Sequence, residues 1–297
     1  MSTVLKTYNL NKKYGSKLVS NNISLTINRG DIYGFVGKNG AGKTTLMRQV
    51  LGMAFPTDGI IQLFDGEPLD LARRKIGSLI EAPGVYKKCS AYENMKRFAF
   101  LCNSSDKQIK DILDYVGLGN TGNKTAGQFS LGMRQRLGIA IALLGNPEFL
   151  ILDEPINGLD PTGIIEIRDL ILRLNRDKGI TFMVSSHLLE ELSKIATCYG
   201  FISEGRLIEE VTAKELAEKC SDRVKIELDN PEKAISLLSN SVPQDMIHLH
   251  EGIIYIDTGL DRTGEFNKML VKNGVTVKQI CLHSIKLEDY FLRKVGV

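Results

Sequence analysis

The chain lacks a long uninterrupted apolar run and a strong excess of either charge. Its opening residues, MSTVLKTYNLNKKYG, contain no apolar core of signal-peptide length, so we expect a protein that is not secreted. The most apolar region, residues 137–152, is interrupted by Asn146, Pro147 and Glu148 and is too short to cross a bilayer. A formal net charge of +3 does not point to a nucleic-acid partner. We therefore expect any membrane role to depend on a partner chain.

Paired cysteines are also lacking. The five cysteines are odd in number, scattered, and include no CxxC pair. This usage favours reduced thiols in a cytosolic protein over disulfides or a zinc site. His248, His250 and His283 are not spaced as metal ligands usually are, so we expect no metal site among them.

Two kinds of organisation follow one another along the chain. Apolar residues alternate with polar ones at 22–28, which predicts a half-buried strand of an antiparallel subdomain. After this stretch, apolar strands alternate with helical stretches. That alternation predicts an α/β fold with a parallel sheet covered on both faces. After a short predicted helix at 212–220, the order over 221–285 is strand, helix, two strands, helix, strand, followed by a closing helix at 285–295. We predict one domain at 1–212 and a small α+β domain at 213–297.

The stretch GKNGAGKTT at 37–45 matches the phosphate-binding pattern G-x-x-x-x-G-K-[ST] between a strand and a helix. Its glycines let backbone N–H groups converge on phosphate oxygens, and the following helix adds its positive dipole end. Lys43 is expected to reach the β- and γ-phosphates, and the Thr44 hydroxyl to bind Mg²⁺. The predicted nucleotide-binding residues are Gly37, Lys38, Asn39, Gly40, Ala41, Gly42, Lys43, Thr44 and Thr45.

A second acidic element lies at FLILDEP, residues 149–155. An apolar strand ends there in Asp153, and ligands of α/β sheets bind at such carboxyl ends. We predict that Asp153 completes the Mg²⁺ site and that Glu154 is the general base for the attacking water.

The stretch FSLGMRQ places Ser130 directly before a helix. A hydroxyl and free N–H groups at a helix start form an anion site, although a simple helix cap explains the serine equally well. Because the chain already has one phosphate cradle, a second site is sensible if it serves the nucleotide of another subunit.

Together these motifs resemble the ATP-binding subunit of an ABC transporter over roughly residues 3–212. FSLGMRQ resembles the family signature, NGLD at 157–160 the D-loop, and SSH at 185–187 the switch histidine. Tyr14 matches the aromatic residue that stacks on adenine. By this resemblance the further site residues are Ser130, Leu131, Gly132, Met133 and Gln135 of the signature, Asp160 of the D-loop, and His187 as a catalytic residue.

The resemblance implies an α/β P-loop NTPase fold with an antiparallel β subdomain and a helical signature subdomain, beside the small C-terminal α+β domain. It implies ATP and Mg²⁺ as ligands, and a homodimer that buries two ATP molecules, each held by the P-loop of one subunit and the signature of the other. It also implies separate transmembrane permease subunits, no nucleic-acid partner, and a cytoplasmic protein peripheral to the inner face of the membrane.

Glu81 departs from the family pattern. It lies 38 residues after Lys43, where relatives usually carry a glutamine that touches Mg²⁺. A carboxylate can also bind Mg²⁺, so Glu81 is a predicted metal ligand. The alternative is that the preceding strand stops at Leu79 or Ile80 and that Glu81 points into water. The IEAPG segment resembles the ATPases of bacitracin and lantibiotic self-protection exporters, which suggests export of an antimicrobial peptide, drug or lipid-like substrate.

Other functions remain open at this stage. A soluble ABC ATPase acting on nucleic acid or ribosomes is the first alternative, and a single cassette without sustained heptads favours the transporter over it. A P-loop kinase is the second. Tyr86, Tyr92 and Phe98 lie where the permease is expected to bind, but core packing accounts for them equally well.

Overall fold

The computed structural model describes residues 2–283 and 287–294 and divides into two compact units, Met1–Ala213 and Lys214–Val297. The predicted domain boundary at 212 lies one residue from this division. Within the described residues, no helix combines the length and the apolarity needed to span a bilayer.

The strands of the first unit form two sheets. In chain order they are β1 (Thr3–Tyr14), β2 (Lys17–Ile23), β3 (Thr26–Asn28), β4 (Ile32–Val36), β5 (Asp58–Leu63), β6 (Ile76–Leu79), β7 (Phe149–Asp153), β8 (Thr181–Ser186), β9 (Cys198–Ser203) and β10 (Arg206–Thr212).

Helices connect these strands. They are α1 (Lys43–Val50), α2 (Leu69–Arg73), α3 (Ala91–Cys102), α4 (Asp106–Tyr115), α5 (Leu131–Ala142), α6 (Pro161–Lys178) and α7 (Leu189–Ser193), with α8 (Ala213–Lys219) at the division between the units. The helices α3, α4 and α5 all lie in the connection between β6 and β7, as the predicted helical subdomain requires.

The central sheet positions the motif residues. Its strand order is β10-β9-β4-β8-β7-β6, and every pair is parallel except β10 with β9. Strands β4, β8 and β7 are buried along their whole length, as expected for a sheet covered on both faces. Because parallel strands end at the same edge, the residues after β4, β6, β7 and β8 meet there. The predicted α/β fold class is confirmed.

The second sheet is antiparallel, with β1 pairing with β2, β3 and β5. The single strand predicted over 22–28 is wrong, because the chain is divided there between β2 and β3. The buried Thr7 hydroxyl explains the break: it donates to the Ile23 carbonyl (3.1 Å) and accepts from the Leu25 N–H (3.0 Å). A core that includes Leu5, Phe35 and Met47 joins this sheet, α1 and the central sheet.

The second unit contains β11 (Arg223–Leu228), α9 (Pro231–Leu238), β12 (Ile247–His250), β13 (Ile253–Ile256), α10 (Thr263–Lys272), β14 (Val277–His283) and α11 (Leu287–Lys294). Its sheet is antiparallel in the order β12-β13-β11-β14, the split βαβ arrangement. The predicted succession of strands and helices is therefore present. Of the predicted closing helix, Ile285, Lys286 and Val295 lie outside the described residues.

A partly buried hydrogen bond ties β4 to β10 and supports a prediction on pH. The Tyr33 hydroxyl donates to Glu210 Oε1 (2.9 Å), which also accepts from the Thr26 N–H (3.2 Å). Burial raises the pKa of Glu210 above its ordinary value, although both hydrogen bonds act in the opposite direction. The fold therefore disfavours the charged carboxylate. Ionisation of Glu210 lowers the free energy of unfolding as the pH rises from about 4, where an unfolded glutamate titrates, through the higher pKa of the folded state.

Glu210→Gln keeps an oxygen for Tyr33 and removes this ionisation. The measured quantity is the melting temperature of the variant minus that of the unmodified chain, from thermal unfolding. We expect this difference to be more positive at pH 7.5 than at pH 4.5. Glu190→Gln, at an exposed position, is the control. A difference in melting temperature that does not change with pH would contradict the raised pKa of Glu210.

Candidate active site

The phosphate-binding loop lies between β4 and α1. Its helix begins after Gly42, which has φ of 108° and supplies no side-chain cap, so the first N–H groups of α1 stay free for an anion. A Cβ at Gly42 would lie 2.8 Å from the Val19 carbonyl oxygen, and one at Gly37 would lie 2.6 Å from Ile202. Both positions therefore require glycine, one for its φ and both for close packing.

Lys43 is buried, and its ammonium group is held by the loop itself. Nζ donates to the carbonyl oxygens of Gly37 (2.6 Å) and Lys38 (3.3 Å). It also lies 3.2 Å from Glu154 Oε1, an ion-pair distance without hydrogen-bond geometry. This Glu154 oxygen is buried and has no hydrogen-bond partner among the described residues. The Lys43 ammonium group thus faces Glu154 Oε1 across the loop. The ammonium group can donate one further hydrogen bond, and the carboxylate oxygen can accept one.

Two of the three predicted metal ligands, Thr44 and Asp153, are in contact. The Thr44 hydroxyl donates to Asp153 Oδ2 (2.7 Å), and the Ser185 hydroxyl donates to Asp153 Oδ1 (2.5 Å). The described part of the chain contains no group of three or more His, Cys, Asp or Glu side chains able to hold a metal ion. One hydroxyl and one carboxylate suit Mg²⁺, which keeps waters and takes phosphate oxygens as further ligands, and they do not suit zinc.

Ser185 was not identified from the sequence, although it lies in the SSH stretch. Its oxygen accepts from the Glu154 N–H (2.9 Å) while its proton goes to Asp153. The register that pairs Asp153 with Ser185 across β7 and β8 produces this arrangement. A single hydroxyl therefore positions both acidic residues.

Glu154 also contacts His187. Its Oε2 lies 2.8 Å from His187 Nδ1, and the glutamate side chain is only 19% exposed. Glu154 has φ of 49°, a left-handed conformation that is uncommon for a residue other than glycine and is often found at functional sites. Lys43, Glu154 and His187 thus form a continuous chain of contacts at the carboxyl edge of the sheet.

A cavity of about 240 Å³ opens at this edge. Its lining residues are Val19, Asn39, Gly40, Gly42, Lys43, Thr44, Thr45 and Glu154. Tyr14 is not among them; its ring is half exposed and lies 4.7 Å from Lys12 Nζ. A larger cavity of about 430 Å³, lined among others by Arg29 and Glu148, lies at the opposite end of the sheet and contains none of the motif residues.

The signature and the D-loop each begin a helix. Ser130 caps α5 by accepting from the Met133 N–H (3.2 Å), and Asp160 caps α6 by accepting from the Gly163 N–H (3.1 Å). Both capping residues are exposed, as is Leu131, whereas Gly132 and Gln135 are buried. The Gln135 Oε1 atom has no hydrogen-bond partner among the described residues. In the isolated chain Ser130 therefore acts as a helix cap, and its role toward a second nucleotide stays a prediction.

Glu81 follows β6 and is exposed, with 64% of its side chain accessible and φ of 62°. It does have a basic partner, which the local sequence did not indicate: Arg48 Nη2 on α1 donates to Glu81 Oε1 (2.7 Å). The strand ends at Leu79, as the solvent-exposed alternative requires. The assignment of Glu81 as a metal ligand stays a prediction.

Comparison with known proteins gives the family. A family model described as ABC transporter matches residues 20–157. The bacitracin transport ATP-binding protein BcrA of Bacillus licheniformis is 42% identical over 100% of this chain and 98% of its own length. The chain belongs to the ABC transporter ATP-binding proteins. Cassettes of this family are ATPases that power transport, so the predicted enzyme class and family are confirmed.

Further comparisons extend this result. The lantibiotic transport ATP-binding protein SrtF of Streptococcus pyogenes is 47% identical over 69% of this cassette protein and 89% of its own length. The structure of cbiO1 from Clostridium perfringens, part of the ABC transporter complex cbiONQ, has a TM-score of 0.67 and 26% identity over 82% of this chain and 98% of that one. The dimeric cassette MJ0796 bound to ADP and phosphate shares the fold, with a TM-score of 0.63 and 24% identity over 70% of this chain and 98% of that one.

Proposed function

We propose that this protein is the ATP-hydrolysing subunit of an exporter that removes an antimicrobial peptide. The observation that carries the catalytic part is the contact chain Lys43–Glu154–His187 beside the Thr44–Asp153 pair at one sheet edge. The substrate class is supported by BcrA and SrtF, whose transport roles concern bacitracin and lantibiotics. Both are transport proteins, which favours the exporter over a soluble ATPase acting on nucleic acid.

The mechanism follows from the residues at this edge. Lys43 and the free N–H groups of α1 bind the phosphate oxygens of ATP. Thr44 and Asp153 hold Mg²⁺, which neutralises the charge on those oxygens. Glu154 Oε1, which has no hydrogen-bond partner in the described structure, accepts the proton of the attacking water, and His187 keeps the carboxylate in place through Oε2.

A single copy leaves the signature without a nucleotide. Ser130 and Asp160 are exposed and begin helices whose N-termini suit an anion. We therefore infer that two copies clamp two ATP molecules, with Ser130 of one copy contacting the triphosphate bound by the other. Hydrolysis removes the shared γ-phosphate contact and lets the copies part.

Ser130→Ala tests this arrangement. We expect the variant to bind ATP but to lose at least about tenfold in ATPase activity, since one hydrogen bond to a charged group is worth about 1.5–3 kcal/mol. Ser105→Ala is a matched control, because Ser105 caps α4 with the same 3.2 Å bond to a backbone N–H. Both variants should lose about 1 kcal/mol of stability through the lost cap. Equal activity in the two variants, or full activity in a strictly monomeric sample, would contradict the clamp.

The permease is proposed to dock on the segment around α3, which places the protein at the membrane through that partner. Phe100 is 88% exposed, Leu101 79% and Tyr86 53%, an apolar surface that suits contact with another chain. Of the predicted contact residues, Tyr92 and Phe98 are half-buried, so core packing accounts for part of their side chains. The structure of cbiO1 belongs to a complex with further subunits, which supports a separate partner here.

The loop that presents Tyr86 depends on Asn94, which the sequence analysis did not single out. Its buried amide accepts from the Tyr86 N–H (2.7 Å) and donates toward the carbonyl oxygens of Tyr86, Cys89 and Ser90 at 2.9–3.2 Å. Asn94→Ala leaves these backbone groups unpaired, so we expect a loss of about 2–4 kcal/mol in the free energy of unfolding. Urea unfolding measures this loss. The control is Asn120→Ala, at an exposed position, which should change the free energy of unfolding by less than about 0.5 kcal/mol. Similar losses in both variants would contradict the role of Asn94 in anchoring the loop.

A further inference from the structure

Arg48 and Glu81 connect the metal-site helix to the end of β6. Arg48 lies four residues after Thr44 on α1, so the two side chains leave the same face of the helix. Thr44 contacts Asp153 at the end of β7, and Arg48 contacts Glu81 after the neighbouring strand β6. One helix face therefore serves both the predicted metal ligand and the glutamate that replaces the usual glutamine.

The position of Glu81 relative to the site follows from strand register. Leu79 pairs with Leu152 in the parallel β6–β7 ladder, which places the residues after β6 beside Asp153 and Glu154. The carboxylate of Glu81 is thus at the metal-site edge while its oxygen is bonded to a guanidinium. Both partners are substantially exposed, at 42% for Arg48 and 64% for Glu81, and ion pairs in such surroundings are weak and exchangeable.

We propose that Arg48 competes with Mg²⁺ for the carboxylate of Glu81, so that this ion pair sets the metal affinity of the ATP site. The inference rests on the proposed binding of Mg²⁺ and ATP at Thr44 and Asp153. The guanidinium holds the Glu81 side chain through Oε1, and its positive charge opposes the approach of a divalent ion to the same carboxylate. A divalent ion beside a triphosphate is in turn a strong competitor for that carboxylate. Glutamine at this position carries no charge to attract Arg48, so the competition is a consequence of the glutamate.

The test is a Mg²⁺ titration of the binding of a fluorescent, non-hydrolysable ATP analogue. Arg48→Gln should lower the half-saturating Mg²⁺ concentration about two- to fivefold, the range expected for an exposed ion pair. Glu81→Gln should raise it, and the double variant should behave as Glu81→Gln alone. Arg48→Lys, which retains the charge, should stay near the unmodified chain.

Arg29→Gln is the matched control. Arg29 pairs with Glu148 at the same 2.7 Å and is exposed to a similar extent as Arg48 (47% against 42%), but it lies at the amino end of β7, away from Asp153. It should leave the titration unchanged. Two outcomes with Mg²⁺-dependent binding of the analogue would contradict the proposed competition. One is that Arg48→Gln does not shift the titration, and the other is that it shifts the titration equally when Glu81 is already replaced by glutamine. If the unmodified chain shows no Mg²⁺-dependent binding, the proposed function fails and the inference falls with it.

Discussion

Glu154→Gln is expected to bind ATP and to hydrolyse it at least about 100-fold more slowly, since a general base contributes about 10²–10⁴ in rate. The substitution keeps the size of the side chain and an oxygen for His187, but it removes the basicity of the atom that lies 3.2 Å from Lys43 Nζ. It also removes a negative charge from the cavity that is proposed to receive the triphosphate, so ATP affinity should be unchanged or higher. With hydrolysis blocked, the two copies should stay together around ATP.

Phosphate release measures the rate, and light scattering with and without ATP measures the dimer. Glu148→Gln is the control, because Glu148 lies directly before β7 and is also ion-paired, but at the other end of that strand. It should retain full activity. A Glu154→Gln protein that hydrolyses ATP at the unmodified rate, or that stays monomeric with ATP, would show that the base or the dimer is misassigned.

Lys43→Ala is expected to reduce ATP affinity by about 100-fold or more. The Lys43 ammonium group is almost fully buried, and each hydrogen bond that it gives to a charged phosphate is worth about 1.5–3 kcal/mol. Its removal also leaves the carboxylate of Glu154 without a cation inside the cavity, which adds repulsion toward a triphosphate. Binding and catalysis should therefore both be lost, in contrast to Glu154→Gln.

Equilibrium binding of a fluorescent ATP analogue gives the affinity, and circular dichroism shows whether the fold is retained. Lys107→Ala, at an exposed position on α4, should bind as the unmodified chain does. A folded Lys43→Ala protein with unchanged affinity would remove Lys43 from the phosphate site and would undermine the whole assignment of the cavity.

Much of this site could be predicted from the sequence because its residues stand at the ends of apolar strands. The runs before Gly37 and Asp153 are continuous and buried, and their carboxyl ends meet at one edge of the sheet. The helix starts at Ser130 and Asp160 carry local capping signals that are visible without a structure. Strand type, strand end and helix start are properties of short segments.

The contacts that were missed join segments distant in sequence. Ser185 and Asp153 meet through strand register, Arg48 reaches Glu81 across 33 positions, and Thr7 interrupts the pairing of a strand that alternates regularly on its own. A buried amide such as Asn94 has no periodic pattern at all. Such contacts depend on which strands become neighbours, and the order β4-β8-β7-β6 cannot be read from the order of the chain.

The hydroxyl of Ser185 couples the positions of Asp153 and Glu154, which limits how the rate of this enzyme can change. Since it donates to Asp153 and accepts from the backbone of Glu154, a small sliding of β8 along β7 would displace both groups in one movement. With the roles proposed for Asp153 and Glu154, ion binding and hydrolysis would respond together to any shift of the Ser185 hydroxyl. A change of rate that leaves ion binding unaltered is then expected at groups that contact Glu154 but not Ser185, such as His187.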